Sequence, residues 1–140
     1  MSLNVVVGDW DSLRDHAQEL RIEVFVVEQG VPAELEWDEG DEVSIHAVAY
    51  DAEGQAVATG RLLPDGHIGR MAVRKSARGR GIGLEVLEAL LAEARRLGYG
   101  RLVLHAQTHA VPFYRKHGFV EEGEEFMEAG IPHRLMSRLP

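Results

Sequence analysis

The chain has 140 residues, 45% of them hydrophobic and 27% charged, which suits one folded domain with its own core rather than a disordered segment. Its formal net charge of -8 disfavours nonspecific nucleic-acid binding, and the lack of cysteine excludes disulfides, a thiolate nucleophile and cysteine-bound zinc. No apolar run approaches the roughly 18 residues that a membrane span requires, and the N-terminus has no signal-peptide pattern. We therefore expect one cytoplasmic domain over residues 1–140, with neither a membrane nor a nucleic acid as partner.

Strand and helix patterns alternate in the first half of the chain. The predicted elements are, in order, a strand over LNVVVG, a helix over LRDHAQELRIEVFVVEQ, and strands over VSIHAVAYD, AVATGRLLP and HIGRMAV. Asp11 or Ser12 can cap the helix, and Gly30 and Pro32 mark its end. The short turns AEGQ and DG between the three later strands predict antiparallel hairpins.

The second half predicts an amphipathic helix followed by three further strands. Apolar residues recur at helical spacing from Leu84 to Leu97, and Gly98 marks the exit. Next come a strand over RLVLHAQ, a short helix over AVPFYRKHG, and strands over FVEEGEEFM and HRLMSRLP. The strand–helix–strand order in the middle implies a parallel pair, whereas the earlier hairpins are antiparallel. The sequence therefore predicts a mixed α+β fold around one sheet.

Acidic and basic side chains are concentrated in two separate segments. Residues 34–42, ELEWDEGDE, contain six carboxylates and no basic residue, and residues 70–80, RMAVRKSARGR, contain five cations and no acid. The acidic run, which we call the acidic loop, is typical of solvated surface but also favours a cationic partner. The basic run adjoins a glycine-rich turn, which is typical of an anion site.

The glycine-rich loop SARGRGIG lies between a predicted strand and a predicted helix. Unpaired N–H groups and the dipole at a helix N-terminus attract negative charge, and Gly79, Gly81 and Gly83 let an anion approach the backbone. Arg78 and Arg80 can add charge-assisted hydrogen bonds. The G-x-G-x-G spacing matches neither the dinucleotide fingerprint nor the Walker loop. A diphosphate site is one interpretation, and a tight turn with helix-cap glycines is the other.

Two motifs resemble those of the GCN5-related N-acetyltransferase (GNAT) superfamily. Arg78-x-x-Gly81-x-Gly83, after a strand and before an amphipathic helix, resembles its pyrophosphate-binding motif. The segment QTHAVPFYRKHGF resembles the superfamily's Asn-x-x-Ala-x-x-Phe-Tyr-x-x-x-Gly-Phe pattern, although Gln107 replaces the commoner asparagine. The residues in register with that pattern are Ala110, Phe113, Tyr114, Gly118 and Phe119.

The two ends of the chain narrow the resemblance to one branch. Residues 21–41, RIEVFVVEQGVPAELEWDEGD, are similar to the N-terminal signature of the ElaA-like branch, and residues 123–139, GEEFMEAGIPHRLMSRL, are similar to its C-terminal segment. The resemblance implies the GNAT fold, which is α+β (mixed α/β). In that fold a central mixed sheet of about six to seven strands has splayed parallel middle strands and about four flanking helices.

The resemblance also implies a binding site for acetyl-CoA, used as co-substrate, in a V-shaped opening between HIGRMAV and RLVLHAQ. The main chain of residues 71–73 would pair with the pantetheine amides, and the backbone of residues 78–83 would hold the pyrophosphate. Phe113 would pack on the cofactor, and Tyr114 would point its hydroxyl at the thioester sulfur. The implied cofactor-binding residues are Met71, Ala72, Val73, Arg78, Gly79, Arg80, Gly81, Ile82, Gly83, Gln107, Ala110, Phe113 and Tyr114.

The implied activity is an N-acetyltransferase, in which a primary amine of a small molecule or protein attacks the thioester directly in a ternary complex. A backbone N–H near Val73 would stabilise the developing oxyanion, and Tyr114 would protonate the leaving thiolate. A lysine-like ammonium, with a pKa of about 10.4, must lose its proton before it attacks. His46 and His133 are the first candidates for the catalytic base, and the further ones are His105, Glu28, Glu125 and Glu128.

A second function class stays open, namely a noncatalytic acyl-CoA-binding or regulatory module that keeps the phosphate site without turnover. The seven histidines have no spacing typical of a metal site, so we expect no metal. The acidic loop favours a cationic amine as acceptor. A homodimer is compatible with the resemblance, and an exposed sheet edge after the last strand would give it a route. Trp10 and Trp37 are expected in structural positions or in a substrate wall.

Overall fold

A computed structural model describes residues 3–35 and 38–140 and, within them, seven strands and four α-helices. The helices are α1 (Trp10–Arg21), α2 (Gly40–Val43), α3 (Ile82–Arg96) and α4 (Val111–Lys116). The strands are β1 (Asn4–Gly8), β2 (Ile45–Tyr50), β3 (Ala56–Leu62), β4 (His67–Val73), β5 (Leu102–Gln107), β6 (Val120–Glu128) and β7 (Ile131–Arg138). Trp37, expected in a structural position or a substrate wall, and Glu36 of the acidic loop lie outside the described residues.

The seven strands form one mixed sheet in the order β1-β2-β3-β4-β5-β7-β6. The first four strands form an antiparallel meander, β5 runs parallel to β4, and β7 lies antiparallel between β5 and β6. This arrangement confirms the predicted mixed α+β fold class. The expectation of an exposed edge after the last strand is wrong, because β7 pairs on both sides and β6 forms that edge.

The two parallel strands at the centre of the sheet diverge. β4 pairs with β5 only through His67 and Ile68, at the start of β4. Farther along β4, Arg70 and Met71 together oppose Gly60 of β3, and Arg70 has a φ of 50°. A bulge of this kind bends its strand and increases the local twist. The second half of β4 therefore separates from β5, as expected for splayed middle strands.

The predicted N-terminal helix has two parts. Asp9, rather than Asp11 or Ser12, caps α1, because its carboxylate accepts a hydrogen bond of 2.9 Å from the Ser12 amide. A π-helical segment, Ile22–Glu28, continues from α1. Its sequence IEVFVVE is rich in β-branched residues, which crowd the turns of an α-helix. π-Helical turns are rare and are frequent at functional sites.

Helices cover both faces of the sheet. Alternate residues of β2 belong to different clusters: Ala47 packs with Leu90 of α3, and Val48 packs with Leu20 of α1. Both clusters consist of residues that are almost fully buried. Among residues 3–35 and 38–140, no helix is long and apolar enough to cross a membrane.

Carboxylates of the acidic loop are paired with arginines from three elements. Arg21 of α1 donates two hydrogen bonds, of 2.8 and 2.9 Å, to the buried Asp41. Arg61 of β3 binds Asp41 at 2.9 Å and Asp38 at 2.7 Å, and Arg70 of the β4 bulge binds Asp38 at 3.0 Å. We call these five residues the arginine–aspartate network. It fastens the acidic loop to the sheet beside the bulge.

Candidate active site

A groove of about 750 Å³ opens where β4 and β5 diverge. The π-helical segment, β4, β5, α4 with the residues before it, and the β6–β7 hairpin contribute to its walls. Eleven of the residues proposed from the sequence line it, namely Glu28, Met71, Ala72, Val73, Arg78, His105, Gln107, Ala110, Tyr114, Glu128 and His133. Its volume is in the range of known small-molecule sites. The structure thus brings the two sequence motifs together in one groove.

The glycine-rich loop between β4 and α3 leaves open space at two of its glycines. Gly79 and Gly81 have φ angles of 81° and 75°, and a Cβ added to either would meet no heavy atom within 4 Å. Gly81 is the N-cap residue of α3 and supplies no side-chain cap. The first N–H groups of the helix can therefore bind an external acceptor. At Gly83, by contrast, an added Cβ would lie 3.4 Å from the side chain of Val73.

Arg78 connects this loop to the groove. Its Nε–H donates to the carbonyl oxygen of Val73 at 2.9 Å, and its terminal nitrogens donate to the Glu28 carboxylate at 2.6 and 2.7 Å. The hydrogen bonds from Arg78 lower the pKa of Glu28 below its usual value. Arg80 is exposed, and Ile82 is packed in the core, so neither side chain lines the groove.

The predicted cofactor helix supplies a further part of the wall. Gln107, Ala110 and Tyr114 line the groove, whereas Phe113 is 39% exposed next to it. The Tyr114 ring has edge-to-face contacts with Phe113 and Phe119, at centroid distances of 5.2 and 5.8 Å. Burial raises the pKa of the Tyr114 hydroxyl, so this group stays protonated at neutral pH. A protonated hydroxyl in the groove can act as a proton donor.

Two candidate bases lie outside the groove. His46 is 1% exposed, its ring lies 4.8 Å from that of Trp10, and its Nε2–H donates to the carbonyl oxygen of Asp41 at 2.8 Å. Burial lowers the pKa of His46. Glu125 accepts a hydrogen bond from Thr108 and does not line the groove either. These positions do not support a catalytic role for His46 or Glu125, and they place Trp10 in the core.

Three other candidates meet at the groove, and we call His105, Glu128 and His133 the Glu128 cluster. His105 donates from Nδ1 to Glu128 at 2.9 Å, and the second Glu128 oxygen lies 3.6 Å from Nε2 of His133. Nδ1–H of His133 donates to the carbonyl oxygen of Ile131 at 2.7 Å. A neutral His133 therefore keeps an unprotonated Nε2, which can accept a proton.

A tight turn positions this cluster. Glu128 and Ile131 pair across the β6–β7 hairpin, and Ala129 and Gly130 between them have φ angles of 51° and 76°. Two consecutive residues with positive φ are typical of a type I′ hairpin turn, in which asparagine, aspartate or glycine is preferred. Alanine in this conformation is strained, and such strain is concentrated at functional sites. The turn directs both Glu128 and Ile131 to the groove.

Other groove residues were missed from the sequence. Val24 and Phe25 line the groove from the π-helical segment, where the sequence predicts an ordinary helix. The β-branched run in EVFVVE is the signal that could have indicated them. Ala129 lines the groove from the hairpin, and its signal is the two-residue AG connection between β6 and β7. Within residues 3–35 and 38–140, no group of three or more side chains is arranged to hold a metal ion.

Known proteins are similar to this chain over nearly its whole length. A family model described as an acetyltransferase (GNAT) domain matches residues 13–139. YjcF, an uncharacterized N-acetyltransferase of Bacillus subtilis, is 44% identical over 138 residues, which cover 96% of this chain and 97% of YjcF.

Solved structures agree in fold. An acyl-CoA N-acyltransferase from Pseudomonas aeruginosa is 36% identical with a TM-score of 0.87, and the match covers 98% of this chain and 99% of that one. Escherichia coli ElaA is 27% identical with a TM-score of 0.86, again with 98% and 99% covered. Together with the family model, these matches confirm the resemblance expected from the two motifs and the two chain ends.

Proposed function

The chain belongs to the GNAT acetyltransferase family, and we propose that it is an acetyl-CoA-dependent N-acetyltransferase acting on a primary amine. Family membership makes it an acyltransferase. The use of acetyl-CoA, direct attack by the amine in a ternary complex, and a single domain over residues 1–140 belong to the proposal. The observation that carries it is one groove that contains Arg78 of the glycine-rich loop, Tyr114 and His133.

The residues around the groove fit acetyl-CoA. Strand pairing between β4 and β5 ends at Ile68, so the β5-facing main-chain groups of residues 71–73 can pair with an extended pantetheine arm. The open space at Gly79 and Gly81, which a Cβ would fill, suits a pyrophosphate at the N-terminus of α3. Acetyl-CoA supplies an activated acetyl thioester when it is bound.

Tyr114 is the proposed general acid. Because its raised pKa keeps the hydroxyl protonated, Tyr114 can donate a proton to the thiolate sulfur as the amine displaces it. A backbone N–H near Val73 can stabilise the negative charge that develops on the carbonyl oxygen. Together these groups act on the two atoms that gain negative charge during acetyl transfer.

His133 is the proposed general base. Its Nδ1–H is held by the Ile131 carbonyl, which leaves Nε2 to accept the proton of the acceptor ammonium, directly or through water. The Glu128 carboxylate, 3.6 Å from Nε2, stabilises the positive charge that His133 then carries. His46, buried and bound to the Asp41 carbonyl, has no such access.

Acetyl-CoA titration calorimetry and an assay of CoA release with a panel of amines test the proposal. Tyr114→Phe should bind acetyl-CoA as the parent chain does and release CoA about a hundredfold more slowly. Tyr99→Phe is the matched control, since Tyr99 is also partly buried but does not line the groove. Acetyl-CoA binding without CoA release for any amine would instead favour a noncatalytic acyl-CoA-binding module. Failure to bind acetyl-CoA would refute both functions.

A further inference from the structure

We infer that the acceptor is a monoamine with an apolar carbon body, whose ammonium group binds at the Glu128 cluster. This inference rests on the proposed function and names the substrate class of the same site. It narrows the cationic acceptor that the acidic loop favours, because it excludes a polycation such as a polyamine or a basic peptide segment. The charges that line the groove, its apolar wall and the strained hairpin turn support it.

The acceptor part of the groove has an apolar wall. Val24, Phe25 and Val31 line it from the π-helical segment and the residues that follow, and Ile131 lines it from β7. None of these side chains can form an ion pair with an ammonium, and burying hydrocarbon against them is favourable. This wall suits an alkyl or aralkyl body rather than a chain of ammonium groups.

Negative charge in the groove is limited to one available carboxylate. Among the described lining residues only Glu28 and Glu128 are acidic, and Glu28 is held by two hydrogen bonds from Arg78. Among residues 3–35 and 38–140, the Glu128 carboxylate has two imidazole partners, His105 at 2.9 Å and His133 at 3.6 Å. A single ammonium can therefore bind at Glu128, but a second ammonium has no comparable partner among these residues.

The carboxylates of the acidic loop that the structure describes do not line the groove, so they do not supply the missing negative charge. Asp41 is buried between Arg21 and Arg61, and Asp38 binds Arg61 and Arg70. Arg70 lines the groove, but its guanidinium is paired with Asp38 at 3.0 Å. Apart from Glu28, which Arg78 holds, a dication or polycation has no second carboxylate among the described lining residues, whereas a monoamine can place its only charge at Glu128.

The hairpin turn supports a binding role for this end of the groove. Ala129 has a φ of 51° although nothing in its side chain stabilises that conformation, and it lines the groove between Glu128 and Ile131. A longer asparagine or aspartate side chain, which the turn prefers, would extend from this position. The small residue keeps space beside the one carboxylate and the apolar wall, where a monoamine needs both.

The test compares two amines with the same carbon chain, hexylamine and hexamethylenediamine, at saturating acetyl-CoA. We expect kcat/KM for CoA release to be at least tenfold higher with hexylamine than with hexamethylenediamine. Glu128→Gln should raise the KM for hexylamine about tenfold and leave the Kd of acetyl-CoA unchanged. Equal or reversed preference between the two amines would overturn the inference and leave the proposed function standing. Failure of both amines and of every other amine tested would overturn the inference and the proposed function together.

An added carboxylate in the groove provides a second test of the preference for a monoamine. Val31→Glu places a second negative charge on the apolar wall and should reduce the preference for hexylamine at least threefold. Val27→Glu is the matched control, because Val27 is 75% exposed and does not line the groove. If both variants changed the preference equally, the effect would come from the net charge of the protein and not from the position of the carboxylate. That result would contradict the assignment of the apolar wall to the acceptor.

Discussion

Arginines occupy two contrasting settings in this molecule. In the arginine–aspartate network, the side chains of Arg21, Arg61 and Asp41 are 1%, 9% and 0% exposed, and every hydrogen bond between them is 2.9 Å or shorter. At the glycine-rich loop, Arg78 and Glu28 form an equally short pair, but their side chains are 38% and 34% exposed. Similar pairing chemistry therefore occurs both in the interior and beside an open groove.

The difference in burial decides what each set of charges can do. A buried charge that loses its partner stays desolvated, so the network has one stable arrangement and a structural role. An exposed pair contributes little to stability, and water or another anion can replace the carboxylate. Arg78 can therefore exchange Glu28 for a phosphate group, whereas Arg21 and Arg61 cannot exchange Asp41.

Replacing Asp41 by asparagine should have the largest effect on stability. Burial opposes the ionisation of Asp41, but Arg21 and Arg61 outweigh it and hold its pKa below the usual value. Asp41→Asn removes this carboxylate from two buried guanidinium groups and should lower the free energy of unfolding by about 3–5 kcal/mol. Urea denaturation measures the change. Glu42→Gln, on the exposed side of the same short helix, should change it by less than about 0.5 kcal/mol.

The second prediction concerns the glycine-rich loop beside the groove. Gly79 and Gly54 have φ angles of 81° and 79°, and an added Cβ would meet no heavy atom within 4 Å at either position. Substitution by alanine should therefore cost each variant a similar stability, about 1 kcal/mol. Only Gly79→Ala should weaken acetyl-CoA binding, by about tenfold, because its Cβ enters the space proposed for the pyrophosphate. Equal affinities in calorimetry would contradict this placement.

The third prediction concerns the protonation of Asp38, the more exposed aspartate of the arginine–aspartate network, at low pH. The hydrogen bond from Arg61 lowers the pKa of Asp38 from 3.8 to about 2. Because the folded-state pKa is the lower one, the stabilisation is complete above about pH 4 and is lost as the pH falls toward 2. The difference in unfolding free energy between the parent chain and Asp38→Asn should shrink over that window. The expected change is only about 1 kcal/mol, since Asp38 is 42% exposed and solvent screens the pair.

Urea denaturation of both proteins at about pH 5 and about pH 2.5 measures this change. A difference that stays constant between the two pH values would show that the Asp38 carboxylate does not stabilise the fold through its charge.

The sequence predicts features that depend on local pattern and misses those that depend on tertiary contacts. Alternation in β2 and the helical spacing of α3 predict the sheet and its helices, because each element buries one face. The spacing of charges cannot predict that Asp38 and Asp41 meet Arg61 and Arg70, since those contacts join residues 20 to 32 positions apart. The acidic loop therefore suggests a cationic acceptor although its paired carboxylates are structural.

In the candidate site, too, features that depend on a local motif are predictable and those that depend on tertiary contacts are not. Tyr114 and the glycine-rich loop are recognisable because a local motif fixes each of them. The choice among histidines depends on which of them lines the groove, and this separates His133 from His46 only in three dimensions, since both are buried. The groove contribution of Phe25 depends on the wider π-helical turn, which replaces the predicted α-helix.

The smallest expected effect distinguishes two roles for Glu28, which either competes with the pyrophosphate for Arg78 or holds Arg78 in its binding position. If Glu28 competes with the pyrophosphate for Arg78, Glu28→Gln should raise acetyl-CoA affinity about threefold and should change stability by less than about 1 kcal/mol. Glu23→Gln is the matched control, because Glu23 lies on the same π-helical segment and binds Arg74 at 3.0 Å outside the groove.

Titration calorimetry with acetyl-CoA at two salt concentrations measures both variants. The gain for Glu28→Gln should be larger at low salt, since a freed guanidinium attracts phosphate more strongly when screening is weak. A loss of affinity would contradict competition and would mean that Glu28 holds Arg78 in its binding position. In that case the exposed pair would resemble the buried network, because both would fix an arginine rather than release it.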